Sequence, residues 1–123
     1  MPVYSDSVMD HFRNPRNMGQ MEDADGIGEA GNSACGDVVV FYARIQDSRL
    51  SRITFKTVGC GPAIAVSSFM TEMAAGKTLE EARQITPSAV AEALGGLPEN
   101  KLHCPEIGVQ ALNNAIDDYL GKT

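Results

Sequence analysis

Three cysteines lie in segments whose neighbouring residues could support metal or sulfur chemistry. Cys35 lies two residues before Asp37, and Cys104 directly follows His103. Cys60 lies between two glycines. An odd number of cysteines cannot pair completely within one chain, whereas thiolate, imidazole and carboxylate groups together are the ligands of zinc, iron and iron–sulfur clusters. The sequence therefore predicts a metal or sulfur site where these three segments meet.

An alternative interpretation is that the cysteines are ordinary buried residues, which is a common environment for a free thiol. Buried structural cysteines more often replace an apolar residue inside a periodic element, and these three fall at predicted element ends. Glycines at positions 36, 59 and 61 leave the backbone bare beside two of the cysteines. This arrangement favours a site with room for a ligand bulkier than a single metal ion.

The polar neighbours of the cysteines also have structural alternatives. Asp37 could be a turn residue before a strand, although its spacing from Cys35 favours the site. His103 can reach the same site as Cys104 if the backbone there is not yet helical, whereas a histidine alone is more often a surface residue. His11 has no cysteine near it in the sequence and is interpreted as a surface or packing residue.

A predicted β-hairpin positions the first two cysteines. Residues 38–45 and 52–58 read as two strands around a turn at 46–49, and apolar residues in the second strand alternate with polar ones. The pattern predicts an antiparallel pair with one solvated face. Because the first strand starts after Cys35 and the second ends before Cys60, these two residues are expected to lie side by side.

Helices are predicted on either side of the hairpin from capping and stop signals. Ser5 caps a short first helix, Pro62 suits the first position of a helix that Gly76 ends, and Thr78 begins a capping box. Thr86 precedes another short helix, and Pro105 opens a long C-terminal one. With a further strand near residues 27–31, the fold class is α+β, with a small antiparallel sheet packed against several helices. Cys60 and Cys104 then lie at helix N-termini, where the helix dipole favours a thiolate.

Size and charge exclude several classes of protein. A chain of 123 residues with 43% hydrophobic residues fits a single domain over residues 1–123. Its net charge of −6 disfavours nucleic acid and favours a basic protein partner. We find neither a signal peptide nor a membrane span, so we expect a cytoplasmic protein with free thiols and no membrane association.

The sequence does not support a phosphate-binding loop, a zinc finger or a hydrolytic zinc enzyme. Neither lysine-threonine pair, at 77–78 and 122–123, is preceded by the two glycines of a phosphate-binding loop. Intervals of 24 and 43 residues between successive cysteines do not match the short pairs of zinc fingers. A hydrolytic zinc enzyme would also need an open coordination position and a general base, for which the sequence offers no obvious residue.

Four segments together resemble the IscU/NifU N-terminal family over essentially the whole chain. In order, they are Asp10-His11-Phe12-Arg13-Asn14-Pro15-Arg16-Asn17-Met18-Gly19, Ala34-Cys35-Gly36-Asp37, Lys56-Thr57-Val58-Gly59-Cys60-Gly61 and Lys101-Leu102-His103-Cys104. The resemblance implies a scaffold, not an enzyme, on which iron–sulfur clusters are assembled and then passed to apo-proteins. It also implies an α+β fold.

The resemblance implies roles for five residues of this chain. The family's three cysteines fall on Cys35, Cys60 and Cys104, its aspartate on Asp37, and its histidine on His103. They would bind iron as a 2Fe–2S cluster, and zinc can occupy the same residues. The last cysteine would accept persulfide sulfur from a cysteine desulfurase, with electrons from a ferredoxin-like donor. Since a carboxylate is a harder and more exchangeable ligand than a fourth thiolate, Asp37 would keep the cluster transferable.

A related zinc-bound branch of the family supplies the alternative function, a sulfur relay that accepts persulfide without building a cluster. That branch usually has an insertion between its second and third cysteines, and the 43-residue interval here looks like the uninserted form. Bacterial scaffolds also recruit a dedicated heat-shock chaperone through a Leu-Pro-Pro-Val-Lys segment. Here the segment reads Leu97-Pro98-Glu99-Asn100-Lys101, which weakens the expectation of a chaperone partner.

Overall fold

The computed structural model describes residues 4–32, 36–59, 61–98 and 101–122. Three strands and five helices occur in these ranges, which agrees with the α+β prediction. In chain order they are α1 (Asp6–Arg13), β1 (Gly26–Asn32), β2 (Asp37–Gln46), β3 (Arg49–Val58), α2 (Gly61–Ala74), α3 (Leu79–Arg83), α4 (Pro87–Ala93) and α5 (His103–Lys122). None of these helices is both long enough and apolar enough to cross a membrane.

The sheet is fully antiparallel in the order β1-β2-β3. The predicted hairpin is confirmed, with longer strands and a tight turn at Asp47 and Ser48, which both have positive φ. Val38 pairs with Val58 at its open end. This register brings the start of β2 and the end of β3 together, as the sequence predicted.

Helices α2 and α5 pack on one face of the sheet. Phe41 and Phe55 pair directly across β2 and β3, and both are fully buried. These two residues belong to one continuous cluster of buried hydrophobic residues. The cluster includes residues from every strand and helix, among them Val8 of α1 and Val90 of α4. One apolar core therefore connects all eight elements.

The opposite face of the sheet is less solvated than predicted. Tyr42 and Thr54, which pair across β2 and β3, are both buried. The N–H of Gly19 donates to Phe55 of β3, and the N–H of Asp25 donates to Ala43 of β2, so residues 19–25 connect two different strands of the sheet. The alternation in β3 predicted an exposed Thr54, and this was wrong, because Thr54 is only 5% exposed.

Both outer edges of the sheet are bonded to other parts of the chain. Phe55 of β3 exchanges backbone hydrogen bonds with residues 17 and 19. On the β1 edge, the Asn114 amide of α5 donates to the carbonyl of Glu29 at 2.9 Å, and the Asp118 carboxylate accepts from the N–H of Ile27 at 2.9 Å. Helix α5 therefore covers β1 and satisfies part of its backbone.

The packing of α5 on β1 depends on two glycines of the strand. A Cβ added at Gly28 would overlap backbone atoms of Ala111 and Ala115, and one at Gly26 would overlap the carbonyl of Ala115. Strand and helix backbones are thus in direct contact. This close approach fixes the helix that carries part of the candidate site.

Most of the predicted helix boundaries are confirmed. Ser5 caps α1, Thr86 caps α4, and Thr78 forms the expected capping box with Glu81. Two starts differ from prediction, because α2 begins at Gly61, one residue before Pro62, and α5 begins at His103, two residues before Pro105. Since the first four N–H groups of a helix have no intrahelical partner, proline is tolerated at each of these positions.

Candidate metal centre

Asp37 is the first residue of β2 and lies at the open end of the hairpin. It is 2% exposed, and the strand register places it beside the last residues of β3. The hydroxyl of Thr57 donates to the carbonyl of Val38 at 2.7 Å, which ties the two strands together next to the site. Asp37 is thus a buried carboxylate on a rigid element.

His103 and Cys104 are the first two residues of α5. Cys104 is buried, with 3% exposure, while His103 is partly exposed. The prediction required a backbone that is not yet helical, and this was wrong, because both residues reach the site from within the first helical turn. At a helix N-terminus the backbone N–H groups of the first turn and the helix dipole favour a negatively charged sulfur.

Three potential ligand atoms converge at this point. Nε2 of His103 lies 3.0 Å from Oδ2 of Asp37 and 3.7 Å from Sγ of Cys104. One ligand atom from each residue lies within 4.8 Å of the others. The same imidazole nitrogen therefore faces both the carboxylate and the sulfur.

This geometry fits metal coordination better than a nucleophile–base relay. A relay uses opposite nitrogens of the imidazole, one toward the nucleophile and one toward the carboxylate. Ligands of a tetrahedral zinc, at bond lengths of about 2.0 Å to nitrogen and about 2.3 Å to sulfur, are separated by roughly 3.3–3.5 Å. The observed separations of 3.0 and 3.7 Å bracket these values.

The site predicted from the sequence is partly visible. Of the five predicted residues, the structure brings Asp37, His103 and Cys104 together. Cys35 and Cys60 lie outside the described residues, so their place in the site stays a prediction. Residues 99 and 100 of the chaperone-like segment also lie outside the described ranges.

A close contact that the sequence analysis did not identify lies at Gly59. The sequence indicated only that glycine would leave space for a ligand. In the structure, the backbone of Gly59 lies directly against the side chain of Asp37, and an added Cβ would overlap Oδ1. The Gly-Cys-Gly motif marks Gly59 in the sequence, but its contact with Asp37 depends on the register of the hairpin and could not be predicted from the motif.

His11 is a second buried ionisable residue, and it lies in a separate polar network. It is 5% exposed, with Nδ1 2.7 Å from the Ser68 hydroxyl and Nε2 3.3 Å from Oε1 of Glu72. The N–H of Arg16 also donates to the Ser68 hydroxyl, at 2.8 Å. Burial, with a further contribution from the Arg16 cation, lowers the pKa of His11 below its usual value, although Glu72 and Asp10 oppose the shift. His11 is therefore a packing residue, which was one of the two interpretations offered.

Comparisons with known proteins add information that the geometry cannot supply. The sequence matches the family model of the NifU-like N terminal domain over residues 3–123. The iron-sulfur cluster assembly scaffold protein IscU 1 of Archaeoglobus fulgidus is 57% identical over 120 residues, which cover 98% of this chain and 78% of that protein. The iron-sulfur cluster assembly scaffold protein IscU of Aquifex aeolicus is 48% identical over 121 residues, with coverages of 97% and 77%.

A solved structure shows the same fold at low sequence identity. The N-terminal part of a nitrogen-fixing NifU-like protein from Brucella abortus superposes with a TM-score of 0.75 at 18% identity. The match covers 98% of this chain and 96% of that one. At this identity the likeness shows the fold alone.

Proposed function

This chain belongs to the family of NifU-like N-terminal domains, and we propose that it is a scaffold on which iron–sulfur clusters are assembled before transfer to apo-proteins. The observation that carries the proposal is the convergence of Asp37, His103 and Cys104 at one point. Relatives at 57% and 48% identity are both named as cluster assembly scaffolds, which favours this function over the zinc-bound sulfur relay.

The cluster is the cargo of this site. We propose that Cys35 and Cys60 complete the ligand set with Asp37, His103 and Cys104, and that the cargo is a 2Fe–2S cluster. The donor types support this assignment, because thiolates and imidazole bind iron in such clusters and a carboxylate is a more exchangeable ligand. Zinc is expected to bind the same residues, since it shares these donor types.

Cys104 is the proposed acceptor of sulfur from a cysteine desulfurase. Its thiolate attacks the outer sulfur of the desulfurase persulfide, so one S–S bond forms on Cys104 while the other breaks and releases the desulfurase thiolate. Electrons from a ferredoxin-like donor then reduce the transferred sulfur to sulfide. Because Cys104 is 3% exposed, its sulfur must become more accessible before a partner can reach it.

Other parts of the proposal follow from the scaffold role. The chain acts without catalysing a reaction of its own, as a single domain in the cytoplasm, and its partners are the desulfurase, the electron donor and apo iron–sulfur proteins. The continuous core through all eight elements supports the single domain. The altered chaperone-like segment argues against a dedicated heat-shock chaperone.

Anaerobic reconstitution tests the scaffold function. Metal-free protein is incubated with ferrous iron, cysteine, a reductant and a cysteine desulfurase, and visible absorption is recorded before and after addition of an apo-ferredoxin. We expect a coloured cluster that forms on this chain and then moves to the ferredoxin.

A related scaffold from the same family serves as the positive control. Persulfide on Cys104 without any cluster, under conditions in which the control scaffold succeeds, would exclude the scaffold function and leave the sulfur relay. The same reaction with Cys104→Ser should yield no persulfide on this chain.

A further inference from the structure

Gly59 follows β3 directly and lies against the buried carboxylate of the candidate site. An ideal Cβ built at this position would overlap Oδ1 of Asp37, and it would lie 2.9 Å from Cγ and 3.1 Å from Cα of the same residue. The carboxylate therefore occupies the volume that any side chain at position 59 would need.

The two oxygens of Asp37 have different surroundings. Oδ1 faces the backbone of Gly59, while Oδ2 faces His103 Nε2 at 3.0 Å. Pairing of Val38 with Val58 fixes the distance between β2, which begins at Asp37, and β3, which ends immediately before Gly59. The carboxylate is thus confined between a bare backbone on one side and the imidazole on the other.

We propose that Gly59 is a positioning residue for the carboxylate ligand, and that its missing side chain allows Asp37 to direct Oδ2 toward His103 and Cys104. This inference rests on the proposed scaffold function and adds a determinant of cluster release. With a side chain at position 59, the carboxylate must rotate away from the imidazole. The cluster would then lose its exchangeable ligand and persist longer.

A second glycine separates this role from backbone strain. Gly59 has a φ of +152° and Gly36 has a φ of +74°, so alanine is strained at either position. Gly59 reaches Asp37 from across the hairpin, whereas an added Cβ at Gly36 has no described atom within 4 Å apart from those of its own chain neighbours. Gly36→Ala is therefore a control that introduces backbone strain next to Asp37 without the steric overlap across the hairpin.

The experiment compares Gly59→Ala, Gly36→Ala, Asp37→Ala and the Asp37→Ala/Gly59→Ala double variant with the wild type. The first measurement is the ¹⁵N chemical shift of His103 Nε2 in the metal-free protein. We expect Gly59→Ala to reproduce the shift change of Asp37→Ala, and Gly36→Ala to retain the wild-type value. This readout does not depend on cluster chemistry, so it decides the positioning role even if the wild type builds no cluster.

The second measurement is the lifetime of the reconstituted cluster in the presence of an apo-ferredoxin. We expect Gly59→Ala to lengthen it by about 10-fold, the same change that is expected for Asp37→Ala, because both variants remove the exchangeable carboxylate from the cluster. The double variant should match Asp37→Ala, because the overlapping carboxylate is already absent. A wild-type imidazole shift in Gly59→Ala, or independent effects that add in the double variant, would overturn the proposal.

A folding defect would also be informative. If Gly59→Ala does not fold because its side chain overlaps the carboxylate, Asp37→Ala in the same chain should restore folding. Failure of that rescue would contradict the positioning role.

Discussion

At the scale of single residues, Asp37 differs from the other proposed ligands in how readily it can leave a metal. We expect Asp37→Ala to lengthen the cluster lifetime by about tenfold, which corresponds to roughly 1.4 kcal/mol in the barrier to release. The physical reason is that a carboxylate is a more exchangeable ligand of iron than thiolate or imidazole. The decay of visible absorption after addition of an apo-ferredoxin measures the effect.

Asp47→Asn is a suitable control for the loss of one negative charge. Asp47 lies in the turn at the opposite end of the hairpin, and asparagine tolerates its φ of +54°. This variant should retain the wild-type lifetime. An unchanged lifetime in Asp37→Ala would refute the role given to the carboxylate.

His11 makes stability depend on pH. Its lowered pKa means that the unfolded chain binds a proton more readily than the folded one. The free energy of unfolding should therefore fall as pH drops below about 6.5, by at most about 1.4 kcal/mol per pH unit, and level off below the folded pKa. Urea unfolding at a series of pH values between 8 and 4 measures this dependence.

The two histidines of the chain can be separated by substitution. His11→Asn should remove this component of the pH dependence, while His103→Asn should retain it. If the difference in stability between the wild type and His11→Asn does not change with pH, the buried imidazole does not titrate as described.

Residue types and spacing favoured Asp37 and His103 as neighbours of the cysteines, and the family resemblance assigned both, with Cys104, to one site. The network around His11 could not be predicted in the same way. Its partners Ser68 and Glu72 lie on α2, and a polar residue in a helix looks the same in sequence whether it is exposed or buried. Only the packing of α1 on α2 brings these groups together.

At the scale of elements, the contact between β1 and α5 makes Gly28 sensitive to substitution. We expect Gly28→Ala to lower the free energy of unfolding by about 3 kcal/mol or more, because the added methyl group overlaps backbone atoms of α5, which cannot rotate away. The midpoint of urea unfolding measures this loss.

Gly121→Ala provides the matched control within α5. An added Cβ there has no described atom within 4 Å, and alanine is the better helix former. This variant should be neutral or slightly more stable. If Gly28→Ala lowers the free energy of unfolding by less than about 1 kcal/mol, β1 and α5 can move apart at little cost in stability, and the prediction is wrong.

The elements themselves were largely predictable because their signals are local. The capping box at Thr78 and the alternating strands of the hairpin depend on residues close in sequence. The start of α5 was misplaced by two residues, because proline is allowed at several positions of a first turn. The burial of Thr54 was missed because the burial of a strand's second face depends on residues that are distant in sequence.

At the scale of the whole molecule, the net charge of −6 predicts how the chain meets its sulfur donor. We expect it to dock to a basic surface of the proposed partner, a cysteine desulfurase, with an association rate that falls by about tenfold or more between low and high salt. Stopped-flow mixing of the two proteins across a chloride series measures the rate. A viscosity-matched solution of uncharged solute is the control, and a salt-independent rate would contradict the prediction.

The covered edges of the sheet have a consequence for self-association. Residues 17 and 19 form backbone hydrogen bonds with β3, and side chains of α5 form hydrogen bonds with the backbone of β1. In the described parts of the chain, both outer strands are therefore partly covered. An exposed strand edge is where a second copy can add by backbone pairing, and repeated addition leads to fibrils. Addition of a second copy by backbone pairing is therefore hindered at these positions of both outer strands.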